Sequence, residues 1–276
     1  LTGAVTLPEN PHVTRIHALD GLRGVLALSV VATHFVTIIH PSGWLILSQL
    51  PVAAFFVLSG MVLTRAYDGR YRAFLAARFM RLWPVYGLSL AAGYLISGRH
   101  PVWLEFLWIP WPGYDGDVVN GPIWSLIIEA WSAPLLPFIA WSGSGPLSRW
   151  LLANAVFAFA GAVFSPLLFG LLFTAGARLS SLDVKSRALE RPAMLWLGKV
   201  SYSLYLTHWL VFRALTTALG PAGAYAGLVL VLPVAWIVWR CVERPSIALS
   251  RRVYQAGRLR PDRLSRPTAA QAQASP

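Results

Sequence analysis

The sequence predicts an all-α fold, a polytopic integral membrane helix bundle of about eight spans. Three observations lead there. Hydrophobic residues make up 56% of the 276 positions and charged residues only 12%, with a mean hydropathy of +0.57, well away from the composition of a soluble domain. Apolar stretches long enough to cross a hydrocarbon core of about 30 Å recur along the whole chain. The 23 lysines and arginines fall almost entirely on one side if those stretches alternate in direction.

In chain order, residues 1–18 read as a polar, irregular tail with no apolar core of a cleavable signal, so the first span is expected to act as its own anchor. The membrane domain covers 19–249, with spans drawn at 22–40, 44–64, 82–98, 122–141, 150–164, 165–180, 195–214 and 222–240. The fifth and sixth are short and separated only around Ser165-Pro166, which fits a helical hairpin or a re-entrant segment. Residues 250–276, rich in Arg, Pro, Ala and Gln, read as a solvated basic tail without a fold of its own.

Arg99 and Arg213 lie on one side of this arrangement. Arg15, Arg23, the Arg65–Arg81 cluster, Arg149, Arg178, Lys185, Arg187, Arg191, Lys199 and everything from Arg240 onward lie on the other. The positive-inside rule makes the second side cytoplasmic and places both termini there. A net charge of +12 then follows from topology and attraction to anionic membrane lipids, and no nucleic-acid partner is needed. The single cysteine, Cys241, has no partner for a disulfide. The histidines lack the i, i+4 pairing usual in zinc sites, so no metal is expected.

The informative residues are the ionisable ones inside apolar spans. Arg23 and His34 are eleven residues apart, within roughly 20° of three whole turns, so they share one helix face about 16 Å apart. Glu129 lies about 10 Å into the fourth span and His208 about 13 Å into the seventh, which brings three ionisable groups to similar depths. Each is costly alone in lipid and marks function by default. His34, with an ordinary pKa near neutrality, suits a general base; Glu129 reads as a protonated buried acid, as the partner of an arginine, or as the carboxylate that orients the imidazole. His208 fits a neutral core histidine as well as a reacting group.

Arg78 and Arg81 stand at i, i+3 where a helix meets the membrane, just before Trp83-Pro84. They serve either as positive-inside anchors or, with Arg23, as a cationic rim for phosphates. Ser59-Gly60 permits close approach of a helix or a ligand; no base for a nucleophilic Ser59 is visible. The outside loop from Arg99 to Gly121, with Trp103, Trp108, Trp111, Tyr114, Glu105, Asp115 and Asp117, suits either a sugar-stacking surface or an aromatic headgroup belt.

Six segments taken together resemble the acyltransferase-3 family of membrane O-acyltransferases: Leu19-Asp20-Gly21-Leu22-Arg23-Gly24 running to His34, Phe55-Phe56-Val57-Leu58-Ser59-Gly60, Arg78-Phe79-Met80-Arg81-Leu82-Trp83-Pro84, Trp124-Ser125-Leu126-Ile127-Ile128-Glu129, the stretch from Leu197 through Tyr202 to His208-Trp209, and Val242-Glu243-Arg244-Pro245. The resemblance implies a multi-pass protein of the bacterial inner membrane that moves an acyl group, usually acetyl, from cytoplasmic acyl-CoA to a hydroxyl of a glycan or lipid-linked sugar. Its motifs fall on Arg23 and His34, on Arg78 and Arg81, and on Trp124, Ser125 and Glu129; together with the depth and charge of these residues, His34 and Glu129 are expected as the catalytic pair and Arg23, Arg78, Arg81, Ser59 and Gly60 as donor contacts. Trp124, Ser125, Tyr202 and His208 become further site candidates. Members similar to this chain usually carry about ten spans, and the region between Glu129 and Leu197 is shorter by a helix pair. With no hydrolase-like segment after the last span, transfer is expected within the membrane domain or through a partner. Two other readings use the same residues: a proton-coupled transporter relaying through His34, Glu129 and His208, and a non-catalytic scaffold.

Overall fold

The computed structural model describes residues 16–40, 45–109 and 119–257. Among these the chain is helical, with no strand. The helices are α1 (His17–Ile39), α2 (Leu45–Ala66), α3 (Tyr71–Ser97), α4 (Trp103–Phe106), α5 (Ile123–Ser132), α6 (Leu136–Gly143), α7 (Leu147–Val163), α8 (Gly170–Arg178), α9 (Pro192–Leu219), α10 (Ala222–Val238) and α11 (Arg244–Ala256). A 3₁₀ turn, Ser165–Phe169, precedes α8, and a π turn, Trp239–Glu243, joins α10 to α11.

Among the described residues, three segments are long and apolar enough to cross a membrane: His17–Ile39, Gln49–Ala66 and Ala222–Ala256. The pair α5 and α6 passes the same test jointly but is bent by 72°. Length and composition thus support three crossings, or four with the bent pair, and not the eight expected. Two windows fail because proline interrupts them. Pro134 lies in the break between α5 and α6, and Pro166 turns the start of the 165–180 window into a 3₁₀ segment, leaving α8 only nine residues; proline removes an amide donor and clashes with the preceding turn. Helix α3, with 27 residues, and α9, with 28, have the length but not the apolarity.

Gly60 and Gly176 set the packing around the site. A Cβ on Gly60 would fall 2.2 Å from the Phe173 carbonyl oxygen, and one on Gly176 would fall 1.9 Å from that of Val57. Helices α2 and α8 therefore touch backbone to backbone, as small residues permit in membrane bundles. Gly60 faces this helix contact, the first of the two roles open to it from sequence.

At the arginine-rich end, Arg65 donates to the carbonyls of Ser180 and Leu182 and fastens α2 to the chain after α8. The α2–α3 link carries an ion pair of Asp68 and Arg70. Tyr254 of α11 donates to Asp68 Oδ1 at 2.5 Å, with the Arg70 guanidinium 4.4 Å above its ring. Residues 250–256, expected in an irregular tail, are helical, and α11 packs along α3. The remaining expected tail residues, 1–15 and 258–276, lie outside the described residues, as do Trp111, Tyr114, Asp115 and Asp117 of the outside loop.

Candidate active site

A cavity of about 90 Å³ opens among α1, α2, α3, α5 and α9. Its polar lining consists of Arg23, Ser59, Arg78, Arg81, Ser125, Glu129, Ser201, Tyr202 and Tyr205. Five helices thus bring together the three arginines, Ser59, Ser125, Glu129 and Tyr202, all named from sequence. Arg78 and Arg81 reach the same cavity because three residues in a helix leave them on one face.

Glu129 is the centre of its hydrogen bonding. Arg78 Nη2 donates to Glu129 Oε1 at 2.9 Å, and Ser59 Oγ donates to the same oxygen at 3.2 Å. Both partners of the ion pair are largely shielded, with 13% and 23% of the side chains exposed. Of the partners open to Glu129 from sequence, an arginine is the one brought within hydrogen-bond distance of its carboxylate. A permanent cation within hydrogen-bond reach satisfies a shielded carboxylate more strongly than a neutral imidazole would.

His34 lies outside the lining of this cavity. Its ring sits 5.2 Å from that of His208 and 5.1 Å from that of Trp209. His208 is fully buried, with Nδ1 3.2 Å from the Leu204 carbonyl, and its Nε2 and the Trp209 Nε1 have no hydrogen-bond partner among the described residues. Tyr205 joins the two centres. It lines the arginine cavity, its hydroxyl is 2.7 Å from Ser125 Oγ, and its ring is 6.0 Å from that of His208. The arrangement is a cationic cavity with a serine–tyrosine wall, backed by two adjacent imidazoles.

Tyr202 donates to the Leu82 carbonyl at 2.8 Å, so it braces α9 against α3 while lining the cavity. Trp124 departs from expectation. It faces a second, apolar cavity on the other side of α5, and packs 6.4 Å from Phe56 and 5.5 Å from Phe169. Glu105, read as an acid open to sugar hydroxyls, is buried and accepts from Tyr94 at 2.6 Å, and burial pushes its carboxyl up. Trp103 beside it is 75% exposed, as a membrane-belt residue would be.

Glu243 went unnamed as a site residue. It lies in the π turn, 3% exposed, and its Oε2 accepts from the Ser203 amide at 3.2 Å and the Ser203 hydroxyl at 2.6 Å. The charges of Arg81 and Arg23 act on it. A lone acid between Arg240 and Arg244 was the available sequence signal, but its partner lies 40 residues away on α9. π turns often mark functional positions, because the extra residue re-aims side chains inside a helix.

Comparison with known proteins agrees with this geometry. The sequence model of the acyltransferase-3 family, described as an acyltransferase domain, matches residues 16–189. Over 93 residues the chain is 43% identical to "Protein 2 in picA locus" of Rhizobium radiobacter, a match covering 30% of this chain and 47% of that protein. The chain thus spans about half the length of this curated relative. No solved structure matches. With the family model extending over more than half of its length and over the α1, α2, α3 and α5 residues that build the cavity, this chain belongs to the acyltransferase-3 family.

Proposed function

We propose that the protein moves an acyl group, acetyl or one of similar size, from cytoplasmic acyl-CoA to a hydroxyl of a glycan or lipid-linked sugar. The observation that carries this reading is the convergence of Arg23, Arg78 and Arg81 on one cavity. Three guanidinium groups in a partly desolvated site suit the phosphates of the donor, and the cavity they line, about 90 Å³, suits a short acyl group. The arginine-rich end faces the cytoplasm of a bacterial inner membrane in this reading, with both termini on that side. In this reading the crossings beyond the four supported by length and composition are made by α3, α7, the 165–178 segment and α9.

His34 acts as the base for the acceptor hydroxyl, or carries the acyl group briefly, with His208 beside it as a neutral neighbour. Glu129 holds Arg78 in place and does not orient His34. Membership of an acyltransferase family lends no support to proton-coupled transport.

The test is donor binding and turnover by the purified full chain in detergent. Radiolabelled acetyl-CoA should bind, and excess unlabelled CoA should displace it. Arg78→Ala with Arg81→Ala should weaken binding at least tenfold. A wild-type protein that retains no acetyl-CoA above background would refute the proposal.

A further inference from the structure

Across α5 from the arginine cavity lies a larger, half-open one of about 670 Å³, lined by α5, α6, α7, the Ser165–Phe169 turn and α8. Its walls are apolar, with Ile127, Ile128, Phe157 and Leu172 among them. The hydroxyl of Ser132 is already spent on the Glu129 carbonyl at 2.6 Å, and the Trp131 indole on the Trp108 carbonyl at 2.7 Å. Apolar cavities of about 150 Å³ stay dry and take up hydrocarbon ligands. A larger cleft that opens toward the lipid side gains dispersion contacts along its lining when a hydrocarbon chain occupies it.

We infer that this cavity holds the hydrocarbon tail of a lipid-linked acceptor, whose polar head reaches the Ser125–Glu129 face of α5. The inference rests on the acyl-transfer reading above. Two observations choose this occupant.

The first is the direction of access. Toward the arginines the cavity is closed by Phe56, Phe169, Phe173 and Trp124, with Phe56 at 5.2 Å from Phe169 and 5.3 Å from Phe173. Phe56 and Phe173 are buried. At the opposite side, the lining residues Phe164 and Leu168 are 45% and 43% exposed, continuous with the exposed apolar face of α7 at Val156, Phe159 and Val163. A chain therefore enters from the lipid side, not from the donor side.

The second is the two-faced character of α5. Ser125 and Glu129, four residues apart, line the arginine cavity, while Ile127 and Trp131, also four apart, line the apolar one. A tail on one face and a reacting hydroxyl on the other are then separated by one helix, about 10 Å across.

The test places the photo-crosslinker p-benzoylphenylalanine at Leu172, inside the cavity, and at Phe159, which is 79% exposed on α7, in the full chain in its native membrane. Mass spectrometry identifies the adducts. The expected result is a glycosylated-lipid adduct at position 172 that is absent at 159, with at least a tenfold loss when Ile128→Trp fills the cavity. A phospholipid adduct alone at 172, an acyl-CoA adduct there, or none while 159 yields phospholipid adducts, would each overturn the inference. The crosslink needs no turnover, so acetyl-CoA binding by the same protein separates this outcome from failure of the acyl-transfer reading. Acetyl-CoA bound without a glycolipid adduct rejects the tail site alone.

Discussion

Arg78 and Glu129, 51 residues apart in the chain, form an ion pair of 2.9 Å in the wall of the arginine cavity. The pair ties α3 to α5, and it keeps one of the three cavity arginines neutralised. Removal of either partner leaves the other shielded from water without its counter-charge, which costs more than removal of both. Arg78→Met and Glu129→Leu should each lower the thermal midpoint in detergent. The double variant should be more stable than the sum of the two, with a coupling of about 0.5–3 kcal/mol. Additive losses would mean that the pair does not hold the two helices together.

His34 and Arg78 should separate in kinetics. A general base contributes about a hundredfold to ten-thousandfold in rate. His34→Ala should lose that much turnover while keeping acetyl-CoA affinity, because its ring packs on His208 and Trp209 and lies outside the lining of the arginine cavity. The reverse pattern, weakened binding at unchanged turnover, would move His34 from the chemistry to the donor site.

Gly60 should behave as a packing residue. With a Cβ there 2.2 Å from a backbone oxygen of α8, Gly60→Val has to push α2 and α8 apart, at the cost typical of overpacking, about 1–3 kcal/mol or more. A lower yield of folded protein is expected, with unchanged acetyl-CoA affinity in the folded fraction. A fully folded variant with weakened affinity would return Gly60 to the donor site.

Local periodicity made α1 legible: one helical face carries Arg23 at the cavity and His34 eleven residues on. It also placed Arg78 and Arg81 together, since i, i+3 spacing needs no tertiary information. What periodicity does not contain is the rotation of one helix relative to another. Glu129 had both an arginine and a histidine at compatible depth, and only the placement of α3 and α5 around one cavity decided for Arg78. The same limit hid the Ser203–Glu243 contact and turned Trp124 to the far side of α5. Hydropathy windows failed differently. They sum apolar residues across Pro134 and Pro166 without registering that the helix ends there.

Glu243 offers a test of the π turn. Its carboxylate is the acceptor for both the amide and the hydroxyl of Ser203, so Glu243→Ala strands buried donors at about 1–3 kcal/mol. Glu243→Gln keeps an acceptor oxygen and should lose less stability. Because Arg81 and Arg23 feel the same carboxylate, Glu243→Gln should also change the KM for acetyl-CoA more than kcat. Equal stability of the two variants with unaltered KM would leave Glu243 with no positioning role.

The docking of α11 should respond to acid. Burial alone would raise the Asp68 carboxyl, but hydrogen bonds from Arg70 and Tyr254 outweigh it and hold the group at about 2. The ordinary aspartate value is near 4. A carboxylate with a lowered native pKa adds stability above its unfolded value, and that contribution is lost as pH falls through the native one. Helix α11 should therefore stay protected from amide hydrogen exchange at neutral pH and lose protection progressively between about pH 4 and pH 2. Asp68→Asn removes the charge that Arg70 binds while leaving a polar group for Tyr254, and should show faster exchange across α11 already at pH 7, with no further step in the acid window. Wild-type protection that remains level down to pH 2 would mean that the apolar contacts of α11, and not Asp68, hold it against the α2–α3 link.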